Sequence, residues 1–200
     1  MFDTTQAAWE KEHELREQDA TANLPRVKLE TSDGDVVIEL FEDQTPETVA
    51  NFISLVEDGF YDGLEFFQVI PSMYARAGCS ENDGTTIPGY RIRSEFENPR
   101  GHFAGTVAMH NDGENTAGSQ FMIMHRPDPN LTDKIVAFGR VIEGMDVVYG
   151  FRAVNRIRTK GGDAATITKA TVIRKRDHEY EPIKLDGDAP IASIALPEKK

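Results

Sequence analysis

The chain has 200 residues, with 34 Asp and Glu against 22 Lys and Arg and a formal net charge of −12. That length allows one domain with a real core plus short extensions, and the acidic balance argues against non-specific nucleic-acid binding. The apolar runs are far too short to span a bilayer, so no membrane association is expected.

Residues 3–20 read as a helix. Asp3 with Gln6 three residues on forms a weak capping box, and Glu12 with Arg16 is a favourable i,i+4 pair. The apolar stripe, Ala8, Trp9 and Leu15, is thin, so this arm must dock or fray. Pro25 ends the linker. The pattern then switches to period two. Val27–Thr31 and Val36–Leu40 flank Ser32-Asp33-Gly34, a hairpin turn. Pro46 opens a second helix, capped by Thr45, with Val49, Phe52, Ile53 and Val56 on one face; Gly59 stops it. Further strands read at 66–70, 73–78, 106–110, 120–124 and 136–141. A short helix reads at 144–150 and a last strand at 165–175. Many short strands with turns between them and two capping helices suggest a closed antiparallel barrel. The expected division is an arm and linker over 1–24, a barrel over 25–176 and a tail over 177–200. That tail, with Pro182, Pro190 and Pro197, either runs extended over the surface or is partly disordered.

Charge is unevenly placed. Residues 1–58 are strongly acidic, whereas 152–176 carry Arg152, Arg156, Arg158, Lys160, Lys169, Arg174, Lys175 and Arg176 against only Asp163. Either two ends of the barrel complement each other or a basic patch awaits an acidic partner. The single cysteine, Cys79, excludes an intramolecular disulfide and reads as a packed or loop residue. Met1-Phe2-Asp3 lacks a basic n-region and an apolar h-region, so no secretory signal is read and a cytoplasmic location is expected. Five histidines show no metal spacing, and no phosphate loop or nucleophile elbow occurs, so no metal or cofactor is expected.

Ordered sequence blocks carry more. They are Pro46-Glu47-Thr48-Val49-Ala50-Asn51-Phe52, Gly59-Phe60-Tyr61-Asp62-Gly63, Phe66-Phe67-Gln68-Val69-Ile70-Pro71, Asn115-Thr116-Ala117-Gly118-Ser119-Gln120-Phe121-Met122-Ile123 and Val136-Ala137-Phe138-Gly139-Arg140-Val141-Ile142-Glu143-Gly144-Met145. In this order, over about residues 25–175, the chain resembles the cyclophilins, peptidyl-prolyl cis-trans isomerases. The resemblance implies a mainly β fold: a closed eight-stranded antiparallel β-barrel capped by two α-helices, here with an N-terminal helical arm. It also implies a monomer that acts on proline-containing peptides and on unfolded or folding proteins, without a cofactor.

The same resemblance places the site. The family arginine falls on Gln68, and the family glutamine of the next strand falls on Arg76. An Arg and a Gln therefore stand in exchanged places. Either Arg76 supplies the charge from the adjacent strand or it is a bystander at an abandoned site. The implied proline pocket is Met73, Met122, Leu131 and Ile135, with Tyr74 on the same strand as Met73. Asn130 stands where the family has a tryptophan, and Ile135 where it has a histidine. Asn111 and Gln120 match residues that grip the substrate, and His110 replaces a small residue at the groove. Arg76, Gln68 and Asn111 are the candidate catalytic residues. The expected function is prolyl isomerisation by electrostatic stabilisation of the twisted amide. Two rivals are a catalytically weak proline-peptide-binding module and a structural domain of a larger protein.

Overall fold

The computed structural model describes residues 2–159 and 161–186, with side chains from residue 6 onward. The side chain of Asp3, Lys160 and the tail from 187 to 200 lie outside the described residues. In chain order come α1 (Phe2–Asp19), β1 (Arg26–Thr31), β2 (Gly34–Leu40) and α2 (Pro46–Glu57). Then follow β3 (Gln68–Ile70), β4 (Tyr74–Ala77), β5 (Tyr90–Arg91), β6 (Thr106–Met109) and β7 (Phe121–Met124). The chain continues through β8 (Val136–Glu143), α3 (Met145–Gly150), β9 (Val154–Asn155), β10 (Ile167–Arg174) and β11 (Leu185–Asp186).

The main sheet is antiparallel and runs β10-β1-β2-β8-β6-β7-β4-β3-β9. Its first eight strands are the eight that the period-two pattern predicts. The ninth, β9, has two residues, too few to show a period. The sheet curls until its ends meet. Phe66 N–H donates to Ala165 C=O at 2.8 Å, Gly63 N–H to Ile167 C=O at 2.7 Å, and Ile167 N–H to Leu64 C=O at 2.8 Å. Contact between the ends is thus a bridge at Glu65 and Thr166 rather than a full strand ladder, which corrects the plain closed eight-stranded barrel. Inside the curl Phe52 of α2 meets Tyr61, Phe121 and Phe138, with ring centroids 5.1, 5.4 and 5.1 Å away. All four rings are fully buried, and offset or edge contacts of this kind add to simple area burial.

The start of α2 is capped differently from expectation. Thr45 Oγ1 donates to Phe41 C=O at 3.0 Å and caps nothing. The Glu95 carboxylate accepts instead from Glu47 N–H at 3.1 Å, Thr48 N–H at 2.9 Å and Thr48 Oγ1 at 2.6 Å. A negative group from a distant loop thus satisfies two orphan donors at the positive end of the helix.

The arm docks, and it does so chiefly through charge. Trp9 sets its ring edge against Phe103, with centroids 5.0 Å apart, while staying partly exposed. The Arg100 side chain is fully buried and makes a forked pair with Asp19 at 2.9 and 2.5 Å. It also lies 4.0 Å from the Phe41 ring centroid. Arg140 reaches Asp19 at 3.2 Å and Glu39 at 2.7 Å, and Glu39 is shared further with Arg26 and Arg174.

Much of the basic segment's charge is paired inside the molecule. Arg156 pairs with Glu65, Arg174 with Glu39, Lys175 with Glu57 and Arg176 with Asp43. Complementary ends, rather than a patch for a partner, is the reading these pairs support. The tail runs extended as far as residue 186. Tyr180 is buried and donates to Glu42 at 3.0 Å, and β11 pairs with β5.

Candidate active site

A hairpin builds the site. In β3 and β4 the register is Gln68 opposite Arg76, Val69 opposite Ala75 and Ile70 opposite Tyr74. Its turn holds Ser72 at φ 62°, a left-handed conformation. Next to β4, β7 places Met122 opposite Arg76 and Met124 opposite Tyr74. Strand alternation then sorts the residues. Ala75, Ala77, Phe121 and Ile123 join the main core. Met122 and Met124 join Ala108 in a second apolar cluster, with Tyr74, Leu131 and Ile135 packed on it.

Over that cluster opens a cavity of about 260 Å³. Seven of the residues expected at the site line it: Met73, Tyr74, Arg76, His110, Met122, Leu131 and Ile135. Met124, Arg126 and Asp128 complete the wall. Met124 was legible, since it lies two residues after Met122 on one strand. Arg126 and Asp128 sit in an irregular turn, where no period reports direction.

Arg76 is buried and held in place. Its Nε and Nη2 donate to Gln120 Oε1 at 3.1 and 2.5 Å. Gln120 Nε2 donates in turn to Gly84 C=O at 3.2 Å and Thr86 C=O at 2.9 Å. Both ends of the Gln120 amide are therefore committed, and the guanidinium cannot swing away without breaking both of its bonds to Gln120. Nη1 of Arg76 makes no hydrogen bond among the described residues. Burial lowers the Arg76 pKa, but a guanidinium stays charged in proteins. The charge also stands 5.3 Å from the Phe67 ring centroid.

Residues 26–175 match the family described as "Cyclophilin type peptidyl-prolyl cis-trans isomerase/CLD". The chain belongs to this family. A peptidyl-prolyl cis-trans isomerase of Synechococcus elongatus is 45% identical over 132 residues, an alignment covering 64% of this chain and 90% of that protein. Peptidyl-prolyl cis-trans isomerase B of Bacillus subtilis is 45% identical over 116 residues, covering 57% of this chain and 81% of that one. Among solved structures, a Cryptosporidium parvum cyclophilin-type isomerase superposes with a TM-score of 0.69 at 24% identity, covering 76% of this chain and 99% of that chain. At that identity the superposition speaks for the fold.

Within this cyclophilin the remaining site residues separate. Gln68 is buried behind the cavity and does not line it; its Oε1 accepts from the Tyr74 hydroxyl at 3.1 Å. Asn111 lies at the rim. Its side chain ties down the loop, donating to Lys134 C=O at 2.9 Å and accepting from Gly113 N–H at 3.1 Å. The Asn111 main-chain N–H and C=O make no hydrogen bond among the described residues. They are open to an extended chain laid alongside. Asn130 is exposed in a short 3₁₀ turn (Pro129–Leu131) and donates to Asp128 at 3.0 Å, outside the cavity wall. His110 borders both the cavity and Arg76. Burial, and then the Arg76 charge, push its pKa down to about 4, so its imidazole is neutral at pH 7.

Proposed function

We propose that this cavity seats the proline ring of a peptide and that Arg76 stabilises the twisted X–Pro amide. The observation that carries this reading is the pairing of Gln68 with Arg76 directly across β3 and β4, with the Arg76 guanidinium on the cavity wall. The charge that the family places on β3 is supplied here from one strand over.

The chemistry follows from amide resonance, which sets a barrier of about 18–20 kcal/mol to rotation. As the bond twists, the prolyl nitrogen regains its lone pair. A donor aimed at that nitrogen binds the transition state more strongly than the planar ground state. A charged donor forms roughly twice as strong a hydrogen bond as a neutral one, so Arg76 suits this role better than Gln68. The apolar floor of Met122, Leu131 and Ile135 takes the ring. The free main chain of Asn111 grips the flanking peptide. No proton is transferred, so His110 acts as a neutral wall.

Proline-containing peptides, including segments of unfolded or folding proteins, are the substrates of this reading. A second Cryptosporidium parvum structure was determined in the presence of the dipeptide Ala-Pro, a ligand of the class that the cavity would take. Exchange spectroscopy on an Ala-Pro peptide tests the assignment. Arg76→Gln is expected to cost on the order of 10²-fold in kcat/KM, the scale for removing one transition-state donor. Gln68→Ala is expected to cost less. Gln68→Arg should not rescue Arg76→Gln fully, because Gln120 is positioned for a guanidinium on β4. Unchanged turnover in Arg76→Gln would make Arg76 a bystander. Binding without turnover in the parent would leave a proline-peptide-binding module.

A further inference from the structure

A second cavity, of about 440 Å³, adjoins the first. Pro71, Ser72, His125, Arg126, Tyr149 and Phe151 line it. The two cavities share the wall at Arg126, which lines both. Between them run the hairpin turn and the start of the loop after β7, joined by His125 N–H donating to Met73 C=O at 2.9 Å.

The lining of this cavity is unusual for an acidic protein. The chain has 34 Asp and Glu, yet none of the six lining residues is acidic. Arg126 is exposed and makes no ion pair or hydrogen bond among the described residues. This sets it apart from Arg100, Arg140, Arg156, Arg174 and Arg176, which are all paired with carboxylates. His125 is 8% exposed, and its Nε2 is buried with no partner. The Tyr149 hydroxyl donates to His125 C=O at 3.2 Å, and its ring meets the imidazole edge-on at 5.5 Å. The ring itself remains 54% exposed at the mouth. An unpaired arginine and a serine therefore border one space, with Pro71 and Phe151 as apolar walls.

We propose that this second cavity is a substrate subsite for a carboxylate side chain, Asp or Glu, within about three residues of the proline seated in the first cavity, a reach set by the rise of roughly 3.3–3.6 Å per extended residue. The proposal rests on the isomerase reading of the first cavity. A peptide leaving that cavity past Arg126 passes directly over the second. There the guanidinium fork matches a carboxylate in shape and charge, and the apolar walls take the methylenes of the acidic side chain.

The test is a set of proline peptides with Glu, Gln or Lys at each of the three positions on either side of the proline. Exchange spectroscopy gives kcat/KM, and calorimetry gives Kd. At one position or more, Glu is expected to exceed Gln by about threefold to tenfold at low salt, the scale of a part-exposed ion pair. The ratio should shrink at about 0.5 M salt. In Arg126→Gln the Glu/Gln ratio should fall to one, and in Arg126→Glu the preference should turn to Lys. Ser72→Asp, at a left-handed position that Asp tolerates, should lower the ratio without altering Arg126. Equal kcat/KM and Kd for Glu and Gln at every position would overturn the proposal. So would a Glu preference that survives Arg126→Gln. If no peptide is turned over but Glu peptides still bind more tightly, the isomerase reading fails and the subsite stands.

Discussion

The Arg76 guanidinium and the His110 imidazole share one small space, and burial acts on both in the same direction by disfavouring charge. The arginine stays charged and gains the Gln120 oxygen; the histidine gives up its proton. His102 behaves as His110 does. It is 3% exposed, and burial lowers its pKa to about 4. In the unfolded chain both histidines titrate near pH 6.5. Between about pH 6.5 and 4 the unfolded chain therefore holds more protons than the folded one, and stability falls as pH drops through that window. The loss should be on the order of 1–3 kcal/mol per histidine. It should be complete by about pH 4 and absent above about pH 7. His178, raised by the Glu179 carbonyl and Glu42, acts in the opposite sense and partly offsets the decline. Calorimetric Tm values between pH 7 and 4.5 check this, with His102→Asn and His110→Ala each flattening the slope. A Tm that does not change over that range would contradict the assignment. At this scale the exchange of Arg and Gln was visible in the sequence, because Gln68 sits in an ordered block and Arg76 falls on the strand that follows it. The open guanidinium of Arg126 was not, because an irregular turn does not report where a side chain points.

Helix α1 shows how an element with little apolar surface can still be placed. Ala8, Trp9 and Leu15 promise little burial, and Trp9 remains 41% exposed on Phe103. Docking falls instead to Glu12 and Asp19, both nearly fully buried against Arg100 and Arg140. A buried pair offsets much of its own desolvation cost, so its net contribution is small, whereas losing one partner is expensive. The arm can avoid that expense by lifting off, which returns Arg100 to water. Deleting residues 1–20 and substituting Asp19→Ala should therefore have nearly the same effect. Each should lower Tm by no more than about 8 °C, or ~1–2 kcal/mol, and Asp19→Ala should red-shift the Trp9 emission as the arm leaves. A larger fall on deletion would make α1 part of the core. Helicity of the arm was legible from its spacing and from the Glu12–Arg16 pair, which forms at 3.0 Å. Its docking partner was not, since Arg100 lies 81 positions from Asp19.

Across the whole molecule, charge is arranged by the sheet. β10 and its flanks bring Arg174, Lys175 and Arg176 beside Glu39, Glu57, Asp43 and Glu42 from the first third of the chain. The basic segment should therefore show no polyanion affinity. Retention on heparin at about 0.1 M salt would contradict the internal pairing. Most of the architecture could be read directly from the sequence. Alternation of period two marked the eight strands that occupy consecutive places in the main sheet, and a 3.6-residue pattern marked α2, whose Val49, Phe52, Ile53 and Val56 are all buried as expected. Periodicity works there because it records which face of a local segment leaves water. It carries no information on which distant group arrives opposite. Only the tertiary structure put Glu95 rather than Thr45 at the start of α2, seated Asp19 on Arg100, and left Arg126 unpaired between two cavities. Each of those outcomes depends on a contact between segments far apart in the chain, and the energy of such a contact exists only once the sheet has curled and water has gone.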